Sequence, residues 1–319
     1  MSKIKKRPAA NAAGENKRPL LVSIYYYRGF YMMFLPVLIF AVVFHYLPMF
    51  GIRLAFYSYK GIKDPAFVGL ANFEKMINMP GFWNAFGNTI TLSVTKLLLN
   101  TFMGVVLSLM LNELKSLIFK KFSQTVVYLP HFMSWVVTAS VFTLILSPTS
   151  AGLVNSILMK LGIVKEGIYF LGNQNWWRPM FYVINVWKDT GWGTIIFMAT
   201  LSGISPELYE AASMDGAGLW NQMRYITLPG LSNTIITVLI LNLAKVMNLF
   251  ESVFVLQNDA VVQKADVLQT YIYTQTFNSG ALPDYGYTTA VGLTSSLVGC
   301  FLVLICNKAS HKVRGRGIV

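Results

Sequence analysis

Six long apolar segments alternate with shorter polar stretches along the chain. A helix needs about 20 predominantly apolar residues to cross a bilayer. On that criterion the segments are predicted to be membrane-spanning helices, at about 30–50, 88–111, 125–146, 179–201, 230–255 and 286–306. The pattern therefore predicts an all-α polytopic membrane protein. Its transmembrane domain covers residues 30–306, between a basic segment at 1–29 and a basic tail at 307–319.

Composition and charge support this prediction and orient the chain. Of the 319 residues, 55% are hydrophobic and only 12% are charged, whereas soluble domains contain about 25% charged residues. The loops that face inward in an N-in/C-in topology carry roughly twice as many Lys and Arg as the outward loops. We therefore predict N-in/C-in. Because topology explains the net charge of +13, membrane lipid is an expected partner and nucleic acid is not.

One predicted inside loop, residues 203–229, differs in composition from the spans around it. Ser205 followed by proline predicts the start of a helix, which Gly216 is suited to end in a left-handed conformation. A second short helix is predicted at about Leu219–Tyr225, ended by Pro229. Periodicity alone leaves two interpretations open, an elbow that docks a protein and an amphipathic loop that rests on lipid headgroups.

The same loop matches the pattern E-A-A-x3-G-x9-I-x-L-P, which resembles the EAA loop of permease subunits in binding-protein-dependent ABC importers. The resemblance implies the transmembrane domain of a type I ABC importer, whose loop docks on an ATPase subunit. It implies that Glu210 meets a basic residue of the ATPase and that Gly216 forms the elbow. The implied coupling residues are Glu210, Ala211, Ala212, Asp215, Gly216, Ile226, Leu228 and Pro229.

Further segments resemble the carbohydrate branch of this family, including "LPMFGIRLAFYSYKG", "YLPHFMSWVV" and "ADVLQTYIY". The chain has no counterpart of the large external domain found in some maltose-type members. The resemblance implies a multi-pass subunit of a bacterial cell membrane importer for a carbohydrate, expected to be an oligosaccharide. It also implies a second permease in a heterodimer, two ABC ATPases and an extracytoplasmic solute-binding protein.

Catalytic and metal-binding patterns are not found in the sequence. No Gly-Lys pair occurs, so the phosphate-binding loop of nucleotide hydrolases is missing. The three histidines are far apart, and His131 is expected to be a hydrogen-bonded residue of the helix bundle. We therefore expect a non-enzymatic subunit that binds no cofactor, while the resemblance implies ATP and Mg²⁺ in the partner ATPases.

Polar residues within the spans are the candidate pathway residues, since buried charge in a bilayer usually faces a bundle interior or an aqueous path. They are Asn185, Trp187, Lys188, Asp189, Trp192, Asn242, Lys245, Asn248 and Glu251. A helical wheel of the fifth span places Asn242 and Lys245 together and turns Asn248 and Glu251 aside. One interpretation is a hydrated sugar passage. In the other, the lysines pair with carboxylates and lock the bundle. Lys96 is expected to snorkel.

Three other functions remain open at this stage. The same machinery could carry a non-sugar solute. A proton-driven secondary transporter could use Lys188, Asp189, Lys245 and Glu251 as a relay. A membrane scaffold or sensor could use the elbow to bind a signalling partner.

Overall fold

The computed structural model describes residues 25–314 except 63, 150, 279 and 281. The described residues are mostly helical, with one two-stranded antiparallel ribbon of β1 (Tyr57–Ser58) and β2 (Ala66–Phe67). The helices are α1 Arg28–Phe56, α2 Ala71–Asn78, α3 Pro80–Asn112, α4 Leu117–Phe132, α5 Trp135–Ile145, α6 Leu153–Lys160, α7 Trp177–Leu201, α8 Pro206–Met214, α9 Leu219–Leu243, α10 Glu251–Leu256, α11 Val262–Ala265, α12 Leu268–Phe277 and α13 Tyr285–Arg314.

The chain divides into two units, residues 1–53 and 54–319. In the first unit, α1 contains one π-helical turn, Val42–Tyr46. Its most apolar window has no buried residue, and large apolar side chains are exposed around the whole helix. A helix that is apolar on all faces suits a lipid environment.

Four described helices are long and apolar enough to cross a membrane: α1, α3, α9 and α13. The bent pair α4 and α5 would make a fifth. The predicted span 179–201 corresponds to α7, which has 25 residues but is not among these four. Its polar residues lower its hydropathy. The helical architecture is confirmed, while the count of six spans and the N-in/C-in orientation stay predictions.

The predicted third span, 125–146, is not one straight helix. The axes of α4 and α5 differ by 101°. Pro130 lies in a 3₁₀ turn that ends α4, and Met133 is extended. Ser134 then caps α5, with its Oγ accepting from the backbone N of Val137 at 3.2 Å. The break arises because proline lacks the N–H that would continue the helix.

The predicted fifth span, 230–255, is also corrected. Helix α9 begins earlier, at Leu219, and ends at Leu243, before a turn over residues 244–250. The Asn242 side chain donates to the carbonyl of Val238 at 2.9 Å, and such side-chain bonds compete with the helical pattern. Val246, Met247 and Leu249 in the turn are buried in the core.

Helices α3 and α7 form the central pair of the second unit. Gly104 of α3 lies against the ring of Phe197, so the two helices approach closely at that point. Trp177 at the start of α7 is fully buried, stacks on Phe181 with centroids 5.2 Å apart, and donates to the carbonyl of Leu256 at 3.0 Å. The packing of α3 against α7 therefore fixes the positions of the polar residues of α7.

Candidate functional site

The elbow, which we define as residues 205–229, begins as the sequence predicts. Ser205 Oγ accepts from the backbone N of Glu207 at 3.3 Å, and Pro206 is the first residue of α8. At the other end Gly216 has φ +79°, as predicted. The backbone N of Gly216 donates to Ser213, and that of Ala217 to Ala212. This is the Schellman arrangement, which needs a left-handed residue at the position of Gly216.

The second half of the elbow differs from the prediction. Pro229 does not end a short helix, because α9 continues through it to Leu243. A π-helical turn over Met223–Thr227 lies directly before the proline. In this turn the backbone N of Leu228 reaches the carbonyl of Met223, one residue further than in an α-helix. The wider turn accommodates the proline ring, which would otherwise meet the preceding turn of helix.

Two side-chain contacts that the sequence analysis missed join the halves of the elbow. The hydroxyls of Tyr209 and Thr227 are 3.0 Å apart, and Thr227 is buried. Gln222 Nε2 donates to Ser213 Oγ at 2.9 Å and to the carbonyl of Ala217 at 3.0 Å. The angle between α8 and the start of α9 is therefore held by hydrogen bonds as well as by the glycine.

The predicted coupling residues fall into two groups by exposure. Glu210, Ala211, Asp215, Gly216 and Pro229 are exposed, whereas Ala212, Ile226 and Leu228 are partly buried. Large apolar side chains are exposed next to the first group: Leu208, Met214, Leu219, Trp220 and Tyr225. The elbow thus presents an apolar surface with carboxylates beside it.

The elbow is attached firmly to two long helices. Leu228 and Ile204 pack against a buried cluster that contains Phe197 of α7 and Leu231 of α9. The hydroxyls of Thr200 on α7 and Thr234 on α9 are 2.9 Å apart. A force on the elbow would therefore act directly on both helices.

A second feature is a cavity of about 790 Å³ between α3, α7, the end of α9 and the turn that follows it. We call this the central cavity. Five candidate pathway residues line it, namely Asp189, Trp192, Asn242, Lys245 and Asn248. Asn248 was expected to turn aside, and this was wrong. The non-helical turn places its apolar residues in the core and leaves Lys245 and Asn248 exposed at the cavity.

The other four candidate pathway residues do not line the central cavity. Asn185 is fully buried and donates to the carbonyl of Phe181 at 2.7 Å. Trp187 makes an edge-to-face contact with Phe142. Glu251 is exposed at the start of α10. These four residues therefore lie outside the central cavity, and their part in a passage stays a prediction.

Lys188, the fourth of these, is 4% exposed and donates to the carbonyl of His131 at 3.0 Å, with its ammonium 5.3 Å from the ring centre of Trp135. Among the described residues it forms no ion pair with Asp189. The Lys188–Asp189 pairing that the structural interpretation allowed is therefore not observed. Lys188 instead caps the end of α4, whose last carbonyls lack helical partners after the break.

His131 is part of the cavity wall, which the sequence analysis did not predict. Its Nδ1 lies 3.4 Å from Asp189 Oδ1, and its ring stacks on Trp192 with centroids 4.9 Å apart and planes at 9°. The break between α4 and α5 brings His131 there. Its expected role as a hydrogen-bonded bundle residue is confirmed, and its place at the cavity is new.

Helix α3 also contributes a polar row that was missed. Ser93, Lys96 and Asn100 all line the central cavity. Lys96 was expected to snorkel to the membrane surface, and this was wrong. Their spacing of three and four residues was a usable signal, since it places three polar groups on one face of the helix.

No group of three or more metal-ligating side chains occurs among the residues that the structure describes. The chemistry available at the cavity is therefore hydrogen bonding, charge and aromatic contact. The elbow, by contrast, offers surface for a macromolecular partner.

Comparison with known proteins shows which family has this architecture. Residues 100–314 match the family described as "Binding-protein-dependent transport system inner membrane component". The chain is 37% identical over 308 residues to the polygalacturonan/rhamnogalacturonan transport system permease protein YteP of Bacillus subtilis (strain 168), covering 95% of this chain and 94% of that protein.

Two solved structures are also similar to the chain. One is a bacterial ABC transporter involved in the import of the acidic polysaccharide alginate, with TM-score 0.84, 35% identity, and coverage of 92% of this chain and 99% of that one. The other is a bacterial alginate ABC transporter in complex with alginate pentasaccharide-bound periplasmic protein, with the same TM-score and identity and 94% and 99% coverage. The chain therefore belongs to the family of inner membrane components of binding-protein-dependent transport systems.

Proposed function

We propose that this chain is one transmembrane subunit of an ATP-driven importer that translocates an oligosaccharide. As a member of its family it is a multi-pass membrane subunit without catalytic activity of its own. The observation that carries the proposal is the elbow. It is held at a fixed angle, exposes a mixed apolar and acidic surface, and is anchored to α7 and α9.

The partners of the proposed importer follow from this assignment. Two ATPase subunits bind Mg²⁺ and ATP and dock on the elbows at the cytosolic face. A second permease packs beside this chain as a heterodimer, and a solute-binding protein delivers the sugar outside. The likeness to a complex with an oligosaccharide-bound periplasmic protein supports this arrangement.

The residues that line the central cavity support a sugar as the cargo. Sugars need hydrogen bonds for their hydroxyls and apolar or aromatic surface for their C–H faces. The cavity offers the amides of Asn100, Asn242 and Asn248, and the ring of Trp192. The similarity to YteP and to the alginate transporters favours an oligosaccharide over a smaller solute.

ATP binding drives transport in this proposal by favouring one of two states. Nucleotide closes the ATPase pair, the elbow follows, and α7 and α9 move with it. Such a shift requires only that nucleotide and binding protein prefer one conformation. Glu210 is the proposed contact to a basic ATPase residue.

The coupling role can be tested with a matched pair of substitutions, Glu210→Gln and Glu207→Gln. Both glutamates are exposed on α8, three residues apart. The complete transporter, purified with its partners in mild detergent, is reconstituted in liposomes with the binding protein. We expect Glu210→Gln to reduce ATP-driven oligosaccharide uptake by about tenfold or more, as for a lost charged contact, and Glu207→Gln to leave uptake unchanged.

Full uptake by the Glu210→Gln transporter with ATPase bound normally would overturn the coupling role of Glu210. Uptake by this chain alone under a proton gradient, without ATPase subunits, would overturn the proposed function, because that is what a secondary transporter would show. Co-purification of an ATPase whose activity responds to the binding protein would exclude a scaffold or sensor.

A further inference from the structure

The charges around the central cavity are unbalanced. Its wall carries Lys96 and Lys245 and one carboxylate, Asp189, which is already engaged by His131 at 3.4 Å. The ion pairs within the described part of the chain are Lys75–Asp284 and His131–Asp189. Neither cavity lysine forms an ion pair there, and the charge of Asp189 also acts on Lys96. Lys188 adds a third cation just behind the wall, where it donates to the carbonyl of His131.

The wall also holds polar atoms that lack partners. Ser93 is 6% exposed, and its Oγ has no hydrogen-bond partner among the described residues; the same is true of Asn100 Oδ1. An unsatisfied buried polar group costs about 1–3 kcal/mol. Ser93 and Asn100 lie about one turn before and after Lys96 on α3. This face of the helix therefore presents a hydroxyl, an ammonium and an amide oxygen in a row at the cavity.

A ligand with the opposite charge would complete this arrangement. A lysine held within a membrane-spanning bundle is costly unless it finds a counter-charge or water. A carboxylate supplies a charge-assisted hydrogen bond that is stronger than one between neutral groups. A sugar bearing such a group also has hydroxyls for Ser93 and Asn100, and a C–H face for Trp192.

We propose that the central cavity binds an acidic oligosaccharide, with Lys96 and Lys245 as the groups that bind the carboxylates of its uronic acid units. Ser93 and Asn100 bind neighbouring hydroxyls. The inference rests on the proposed function, and it adds the charge of the cargo and the residues that select for it.

The test compares each acid with its own neutral form. The probes are trimers of 1,4-linked galacturonate and of mannuronate, and the methyl ester of each, which has the same length and no charge. Initial uptake rates are measured for the reconstituted complete transporter with its binding protein. The variants are Lys96→Gln, Lys245→Gln and the double variant, with Lys160→Gln as control. Lys160 is exposed at the end of α6, away from the cavity.

The binding protein is identical in every sample. The ratio of variant to wild-type uptake rate for each probe therefore reports the effect of the substitution on the permease, without the preference of the binding protein. We expect each single cavity substitution to lower uptake of the transported acid by about tenfold, as for one charge-assisted bond. Uptake of its ester should stay within about twofold of the wild-type rate, because the ester has no charge for the lysine to bind. In the Lys160→Gln control, uptake of both probes should also stay within about twofold, because exposed charges contribute little.

Three results would overturn the inference. Acid uptake unchanged in the double variant would show that the lysines do not bind carboxylates. Equal losses for acid and ester, with less assembled complex, would show that the lysines pair with carboxylates of the second permease. A wild-type transporter that imports neutral oligosaccharides with ATP hydrolysis but neither acid would refute the acidic cargo and leave the proposed function standing, whereas a wild-type transporter that imports no oligosaccharide with ATP hydrolysis would refute the function itself.

Discussion

Gly191 on α7 is a position where one added methyl group should be strongly destabilising. It is buried, and a β-carbon built there would overlap the backbone carbonyl oxygen of Val127 in α4. The two helices therefore touch through backbone atoms. We consider the substitution Gly191→Ala, which would force α4 and α7 apart by more than an ångström.

The magnitude follows from the atom that is struck. Overpacking a core typically costs about 1–3 kcal/mol. A side chain can rotate away from a new methyl group, but a helical carbonyl cannot, so we expect the upper end, about 3 kcal/mol. Separation would also strain two contacts that cross the same interface. These are Lys188 Nζ to the His131 carbonyl at 3.0 Å and Asp189 to His131 Nδ1 at 3.4 Å.

Gly193 provides the matched control, because it lies two residues further along α7 and has no atom within 4 Å of a β-carbon position. Thermal unfolding of the purified complete transporter is followed by intrinsic fluorescence, and uptake is measured in liposomes. We expect Gly191→Ala to lower the unfolding midpoint by several degrees and to reduce uptake. Gly193→Ala should leave the midpoint unchanged; because Gly193 lines the central cavity, it is a control for stability and not for uptake. Equal midpoints for the two variants would refute the close-packed interface.

Three further predictions concern the elbow and the segments outside the predicted spans. Gly216→Ala should cost about 1–2 kcal/mol in local elbow stability, because its φ of +79° is left-handed. Gly218→Ala, at φ −70°, should cost less, because it changes only the N-cap of α9. Hydrogen exchange of the elbow amides distinguishes the two variants. Asn155→Ala removes bonds to Ser147 and Ile168 and should cost about 3 kcal/mol, seen as faster proteolysis of residues 147–170. Burial raises the pKa of the Asp266 carboxyl above its usual 3.8, so its ionised form destabilises the fold once the pH rises through that raised pKa. Asp266→Asn should therefore raise the unfolding midpoint at pH 7.5, and the gain should vanish toward pH 4.

Local signals along the chain predict the elbow well. Ser205 and Gly216 act through their own backbone geometry, which does not depend on distant residues, and both behave as the sequence predicts. The apolar segments likewise predict where helices lie, to within several residues at most ends. Each of these features depends on a few neighbouring residues, so the sequence alone carries enough information.

Features that depend on tertiary packing were not predicted. Window hydropathy treats the third and fifth spans as continuous, because it averages over a proline at position 130 and over the polar residues near 245. The turn after Leu243 forms because Met247 and Leu249 find buried sites on other helices. A helical wheel assumes regular geometry, and so it misplaced Asn248.

Charge alone was also an incomplete guide to the cavity. Lys188 and Asp189 are adjacent in sequence, yet a helix points neighbouring side chains about 100° apart. Lys188 consequently reaches the broken end of α4, while Asp189 faces His131 and the cavity. The lysines that do line the cavity, Lys96 and Lys245, come from different elements, and only the fold brings them to one wall.

The elbow and the central cavity are connected by the same two helices. Helix α7 carries Asp189 and Trp192 at the cavity and Thr200 near the elbow, and helix α9 carries Thr234 near the elbow and Asn242 at the cavity. Because a helix transmits displacement along its axis with little compression, movement of the elbow must alter the cavity wall.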